Sequence, residues 1–250
     1  MTDLFDMTGK VAVVTGGSRG LGREMVLAFA ERGADVVIAS RKLDNCEAVA
    51  EEVRAMGRRA LAVAYHAASW DGAAELAEAA YRTFGTVDVL VNNAGMSPLY
   101  PSVDAITEDL YDKVMGVNLK GPFRLSAIVG TRMAAGDGGS IVFVSSIASQ
   151  RTSPSELVYG AAKAGVNALT YGLARTLGPK VRVNCIVPGP FLTDISKAWD
   201  MASFEKSAKA GFALQRGGEP HEIVGAALYF ATAASSYTTG TTLNVDGGPR

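Results

Sequence analysis

Short apolar, β-branched runs recur along the chain. They begin with Val11-Ala12-Val13-Val14 and return at 36–39, 61–63, 87–91, 141–144, 181–187 and 242–245. None keeps the strict alternation of a strand with one wet face, so the runs read as strands buried on both faces of a parallel sheet. Between them lie amphipathic segments such as 20–32, 43–56 and 71–84, each long enough for the crossover helix that parallel strands need. The βαβαβα rhythm predicts an α/β architecture, a doubly wound, seven-stranded parallel sheet with helices on both faces and right-handed crossovers. No repeat, charge block or Pro/Ser-rich linker interrupts the 250 residues, and the 28 glycines fall mostly at strand-to-helix turns. One domain over residues 1–250 is expected.

Composition narrows the function classes. The 24 basic and 25 acidic residues leave a net charge of −1, which gives no electrostatic case for nucleic acid or an anionic membrane as partner. Cys46 and Cys185 have no CxxC or Cys/His spacing, and His66 and His221 lie far apart, so neither a disulfide framework nor a metal site is expected. The segment Met1-Thr2-Asp3-Leu4-Phe5-Asp6-Met7 carries acids where a secretory leader carries bases. No apolar run approaches the roughly 18 residues of a membrane span. A soluble, cytoplasmic protein is the expectation.

In an open parallel sheet the ligand crevice lies beyond the carboxyl ends of the strands. The first run leads into Thr15-Gly16-Gly17-Ser18-Arg19-Gly20-Leu21-Gly22 and then a helix. Glycines permit a tight turn and close backbone approach, and a helix N-terminus offers free N–H groups and a positive dipole end to a pyrophosphate. The same residues also suit an ordinary glycine-rich βα turn. The second run ends at Ser40-Arg41-Lys42 with no acid before Asp44. An acid in this slot would bond the ribose 2′-hydroxyl of NAD, whereas a cation suits the 2′-phosphate of NADP. Arg19 and Arg41 are the candidate cations, since a guanidinium matches phosphate bidentately.

The fourth run ends in Asn92-Asn93-Ala94-Gly95 and the fifth in Ser145-Ser146. Thirteen residues after Ser146 comes Tyr159-Gly160-Ala161-Ala162-Lys163, inside a helix reaching Arg175. Tyr159 and Lys163, at i and i+4, share a helix face. An ammonium one turn away stabilises a phenolate and lowers the tyrosine pKa from about 10, as acid–base work near neutrality requires. A hydroxyl such as that of Ser146, facing the same point, can hold a carbonyl oxygen. A buried tyrosine beside a snorkelling lysine is the plainer reading of that pair alone.

Taken together, TGGSRGLG, NNAG, the serine before YxxxK and Val183-Asn184-Cys185-Ile186-Val187-Pro188-Gly189 stand in an order that resembles the short-chain dehydrogenase/reductase family. The resemblance runs from Lys10 to Asp246-Gly247-Gly248. It implies a Rossmann-like fold and a tetrad of Asn118, Ser146, Tyr159 and Lys163. Tyr159 would exchange a proton with the substrate oxygen, Lys163 would lower its pKa and hold the nicotinamide ribose, Ser146 rather than Ser145 would orient the carbonyl, and Asn118 would anchor a water in the proton relay. It places Gly16, Ser18, Arg19, Gly20, Leu21 and Gly22 at the pyrophosphate. Ser40 and Arg41 fall at the adenosine ribose, Asn93, Ala94 and Gly95 along the adenine side, and Pro188, Gly189, Phe191 and Thr193 at the nicotinamide carboxamide. NADP(H) is expected over NAD(H), and a homotetramer or homodimer is implied. The family's acid after the third strand is replaced by Tyr65-His66-Ala67-Ala68-Ser69-Trp70-Asp71, so adenine contacts should differ in detail. Asp71 should cap or open the next helix, and Asp88 should be structural.

By the same resemblance, substrate choice lies in 191–212, 97–102 and 147–158. Leu192, Ile195, Trp199, Met201 and Phe204 supply apolar surface for a lid, and no arginine cluster calls for an anionic substrate. A medium-sized apolar or aromatic ketone or alcohol is expected. A 3-oxoacyl-thioester reductase and a non-catalytic NADP(H)-binding sensor are the alternatives.

Overall fold

In the computed structural model, residues 3–194, 196 and 199–249 are described. Seven parallel strands form one sheet: β1 (Val11–Thr15), β2 (Asp35–Ser40), β3 (Ala60–Ala64), β4 (Val89–Asn92), β5 (Gly139–Val144), β6 (Val181–Pro188) and β7 (Thr242–Val245), in the order β3-β2-β1-β4-β5-β6-β7. The crossovers carry helices α1 (Gly20–Glu31), α2 (Leu43–Ala55), α3 (Trp70–Phe84), α4 (Glu108–Met115), α5 (Gly121–Ala135), α6 (Leu157–Leu177), α7 (Met201–Gly211) and α8 (Val224–Ala231). The order reverses between β1 and β4, which puts a crevice beyond their carboxyl ends.

Two-sided burial follows from the two-residue period of a strand. Val14, Val36, Ile38, Val91 and Val142 pack with Met25 and Phe29 of α1 and Phe230 of α8 on one face. Their neighbours Val13, Val37, Leu90, Ile141 and Phe143 pack with Leu76 of α3, Leu125 of α5 and Val166 of α6 on the other. The expectation of burial on both faces fails at the edges. Every residue of β3 and β7 is at least partly exposed, because each of these strands has a neighbour on one side only.

At the opposite end from the crevice, Asp88 accepts from Lys10 Nζ (3.0 Å) and the Val11 amide (2.9 Å), a structural tie between the starts of β1 and β4. Among the described residues no helix is long and apolar enough to cross a membrane. Both cysteines are buried free thiols.

Candidate active site

The glycine turn is built by close backbone approach. Gly16 has φ +65°, a left-handed conformation that suits glycine. Gly22 leaves no room for a side chain, since a Cβ there would lie 2.2 Å from Gly16 O and 2.5 Å from Asn93 Nδ2. Gly22→Ala is therefore expected to destabilise the fold by about 1–3 kcal/mol. A thermal melt should show this as a fall of roughly 3–10 °C, and an unchanged melt would contradict the turn described.

Asn93 laces the turn to β4: its Nδ2 donates to Thr15 O (3.1 Å) and Gly16 O (3.2 Å). Thr15 Oγ1 accepts from the Asn93 and Ala94 amides at 3.1 and 3.2 Å. The N–H groups of Asn93, which the resemblance sets beside adenine, are thus spent on holding two loops together. Thr15, which sequence reasoning passed over, is the hub of that contact.

Helix α1 begins with neither a side-chain cap at Arg19 nor an acid in its first turn. Ser69, Thr107 and Asp200 cap α3, α4 and α7, whereas α2, α5, α6 and α8 share with α1 the lack of a side-chain cap. The leading N–H groups of α1 are left for an anion. Leu21 packs against the hydrophobic core, so only its backbone faces the turn. Arg19 and Arg41 are exposed, and among the described residues neither is in an ion pair. Ser40, at the end of β2, accepts the Tyr65 amide at 2.9 Å. These residues fit an anionic dinucleotide. His66 Nδ1 accepts the Ala68 amide at 3.3 Å, a bond within its own turn. Ser69 is the cap of α3 and Asp71 lies in its first turn, so Asp71 opens that helix without capping it.

Ser146, Tyr159, Lys163 and Asn118 converge beyond β4 and β5. Ser145 and Ser146 divide their duties: Ser145 Oγ donates to Lys163 O (3.1 Å) within the core, whereas Ser146 Oγ accepts the Ala148 amide (3.1 Å) and meets the Tyr159 hydroxyl. Lys163 is 3% exposed, and its Nζ donates to Val144 O at 2.7 Å. The same Nζ lies 5.7 Å from the centre of the Tyr159 ring. Gly95 faces this point, with its absent Cβ 3.6 Å from Lys163 Nζ and 3.0 Å from Asn118 Oδ1.

The electrostatics correct one expectation. Burial pushes Tyr159 up to about 12, and the hydrogen bond to Ser146 opposes this only in part. Lys163 does not lower it here. Burial instead brings the lysine itself down to about 8, because the ammonium is stripped of water. An unfolded lysine titrates near 10.5. Between pH 8 and 10.5 the unfolded chain therefore binds the extra proton, and stability rises with pH in that window. Lys163→Met should remove this gain. Melting curves of the two proteins should diverge in favour of wild type from pH 8 to pH 10, and parallel curves would refute the shifted lysine.

Asn118 lies in a π-helical turn, Gly116–Lys120, between α4 and α5. Its Nδ2 donates to Met96 O (2.8 Å) and to Val114 O (2.9 Å), and its Oδ1 accepts the Met96 amide (3.2 Å). Val114 O is the acceptor that the Asn118 amide would use in an α-helix, so the side chain displaces the regular ladder. The Asn118 side chain thus serves to fasten the loop after β4.

Pro188 ends β6, and the Gly189 amide donates to Val245 O at 3.0 Å. Thr193 approaches the glycine turn, its Cβ 3.6 Å from where a Cβ on Gly20 would stand. The Phe191 side chain is 7% exposed and packs on Gly218, so the contact expected of Phe191 falls to its backbone. The rings of Trp199 and Phe204 meet at a tilt of 43° with centres 5.0 Å apart, and Phe204 and Leu192 close on Gly217. Much of the apolar surface expected of a lid therefore holds its own segment in place. Met201 is exposed, and Ile195 lies outside the described residues.

A shallow apolar cleft runs against Tyr159, lined by Pro98, Tyr100, Leu110, Val114, Glu156 and Val158. Among the described residues it takes members of 97–102 and 147–158 and none from 191–212. Leu110 and Val114 of α4 were missed. Their one signal was an apolar i, i+4 pair on a short amphipathic helix.

Comparison with known proteins places this geometry. A family model described as Enoyl-(Acyl carrier protein) reductase matches residues 16–249. An L-rhamnose 1-dehydrogenase (NAD(P)(+)) of Azotobacter vinelandii is 39% identical, covering 96% of this chain and 96% of its own. Human dehydrogenase/reductase SDR family member 4 is 33% identical, covering 99% of this chain and 90% of its own. A solved 7α-hydroxysteroid dehydrogenase, complexed with NADH and 7-oxo glycochenodeoxycholic acid, superimposes with a TM-score of 0.95 at 32% identity, covering 100% of this chain and 97% of that one.

Proposed function

The chain belongs to the short-chain dehydrogenase/reductase family of oxidoreductases acting on alcohol and carbonyl groups, and from that premise we propose an NADP(H)-dependent carbonyl reductase or secondary-alcohol dehydrogenase. The observation that carries the reading is the meeting of Ser146, Tyr159 and Lys163 at the crevice beside an uncapped α1 N-terminus. Bound nicotinamide would supply or accept the hydride. The uncapped α1 amides and Arg19 would bind the pyrophosphate, and Ser40 and Arg41 the adenosine ribose with its 2′-phosphate. Backbone of Pro188, Gly189, Phe191 and Thr193 would orient the carboxamide.

Ser146 Oγ donates to the substrate carbonyl oxygen and fixes it at the phenol of Tyr159. In reduction Tyr159 gives its proton to that oxygen, and in oxidation it takes the proton back. With Tyr159 at about 12 the phenol is protonated across the physiological range, the form that gives a proton in reduction. Lys163 would hold the ribose hydroxyls of the bound nicotinamide and so keep the cofactor beside Tyr159. Asn118 keeps the loop after β4 in place, with a relay water held near it.

The apolar cleft supports a medium-sized apolar or aromatic ketone or alcohol as substrate. Exposed Tyr111, Phe123 and Tyr171, on α4, α5 and α6, support assembly into a cytoplasmic homotetramer or homodimer. The test is a panel of ketones, aldehydes, quinones and 3-oxoacyl thioesters followed by loss of NADPH absorbance. Turnover greatest on bulky apolar ketones is expected. Preference for thioesters would favour the 3-oxoacyl-thioester reductase, and tight NADPH binding without any turnover would favour a non-catalytic sensor.

A further inference from the structure

Tyr159 is the third residue of α6, in the turn where a helix's leading amides lack internal acceptors. Glu156, at the cap position, makes no side-chain bond to those amides, and its carboxylate accepts instead from Ser153 Oγ at 2.8 Å. The acceptor comes from elsewhere in the chain. The Leu157 amide donates to the hydroxyl of Tyr100, 2.7 Å away and 57 residues earlier. That hydroxyl in turn donates to Pro154 O at 2.8 Å, so one phenol closes both sides of the helix entry.

The other two reacting side chains have anchors of their own. Lys163 is one turn deeper in α6 and tied to Val144 O, and Ser146 is fixed by the Ala148 amide. Of the three, Tyr159 alone depends on the first turn of α6. Tyr100 stands on the loop after β4 that Asn118 fastens through Met96, and it lines the cleft against Tyr159. We propose that Tyr100 is a positioning residue, its hydroxyl fastening the loop after β4 to the entry of α6 and so holding Tyr159 in register with Ser146 and Lys163. The proposal deepens the reading of Tyr159 as the proton-exchanging group and rests on it.

Tyr100→Phe keeps the ring in the cleft wall and removes both hydrogen bonds. Amide exchange in the peptide 154–162 should rise roughly tenfold at the α6 entry. With the best carbonyl substrate kcat should fall roughly 10- to 100-fold while NADPH affinity stays at the wild-type level. Tyr237→Phe, at a fully exposed tyrosine ahead of β7, should change neither. Unchanged exchange in Tyr100→Phe would overturn the clamp whether or not any carbonyl is turned over. Faster exchange with unchanged kcat would overturn the positioning role. A wild-type protein that turns over no carbonyl counts against the proposed function, and exchange alone then decides the clamp.

Discussion

Tyr159→Phe should lower kcat for carbonyl reduction by roughly 10²–10⁴-fold and leave NADPH binding close to wild type. The physical ground is local. The phenol is half-buried and neutral, so phenylalanine replaces it without uncovering a charge, and the loss is confined to one hydroxyl and its bond to Ser146. No part of the glycine turn touches it in the contacts described above. The pH dependence adds a sign. Below about 12 the phenolate fraction of Tyr159 grows tenfold per pH unit. Alcohol oxidation, which needs the deprotonated phenol, should therefore climb with pH, and ketone reduction should not. In Tyr159→Phe the climb should vanish. Steady-state rates in both directions from pH 6 to pH 10 check this, and a variant that keeps its oxidation profile would remove Tyr159 from the chemistry.

The second large effect is expected on the cofactor. Arg41→Ala should weaken NADPH roughly 10- to 150-fold, the worth of a charged hydrogen-bonding contact, and leave NADH nearly unchanged. Arg41 is exposed at the end of β2 and is held by no carboxylate among the described residues, so its removal breaks no internal bond. Asp44, the next acid, lies in the first turn of α2, where it faces that helix's own positive end. Dissociation constants for both cofactors, from titration of nicotinamide fluorescence, decide the point. Equal losses for NADPH and NADH would remove the 2′-phosphate contact, and an unchanged NADPH constant would pass the role to Arg19.

Much of the fold could be read from the chain because a two-sided strand needs apolar residues in sequence, whatever the rest of the molecule does. Residues 11–14, 36–39 and 141–144 are cases in point. Exposure at β3 and β7 was not legible, because an edge differs from the middle only in what lies beside it. The grouping of Ser146, Tyr159 and Lys163 was foreseen from a motif order. The proposed role of Ser146 over Ser145 is supported by the bond of the Ser145 hydroxyl to the backbone of α6. The π turn at Asn118 depends on a bond to Met96, 22 residues away, and no local pattern encodes it. The same holds for Tyr100 over the entry of α6 and for Phe191, whose inward ring is decided by Gly218. Asp71 was weighed as a cap from its charge, whereas Ser69 stands at the geometrically required position.

The central claim is hydride exchange between nicotinamide and a carbonyl carbon with the proton supplied by Tyr159. Its most direct measurement uses NADPH carrying deuterium at nicotinamide C4, incubated with each carbonyl class and followed by mass spectrometry of the product. The account predicts an alcohol heavier by one mass unit, labelled at the former carbonyl carbon, in wild type and not in Tyr159→Phe. NADPH bound tightly with no deuterium in any product, or equal labelling by Tyr159→Phe, would contradict it.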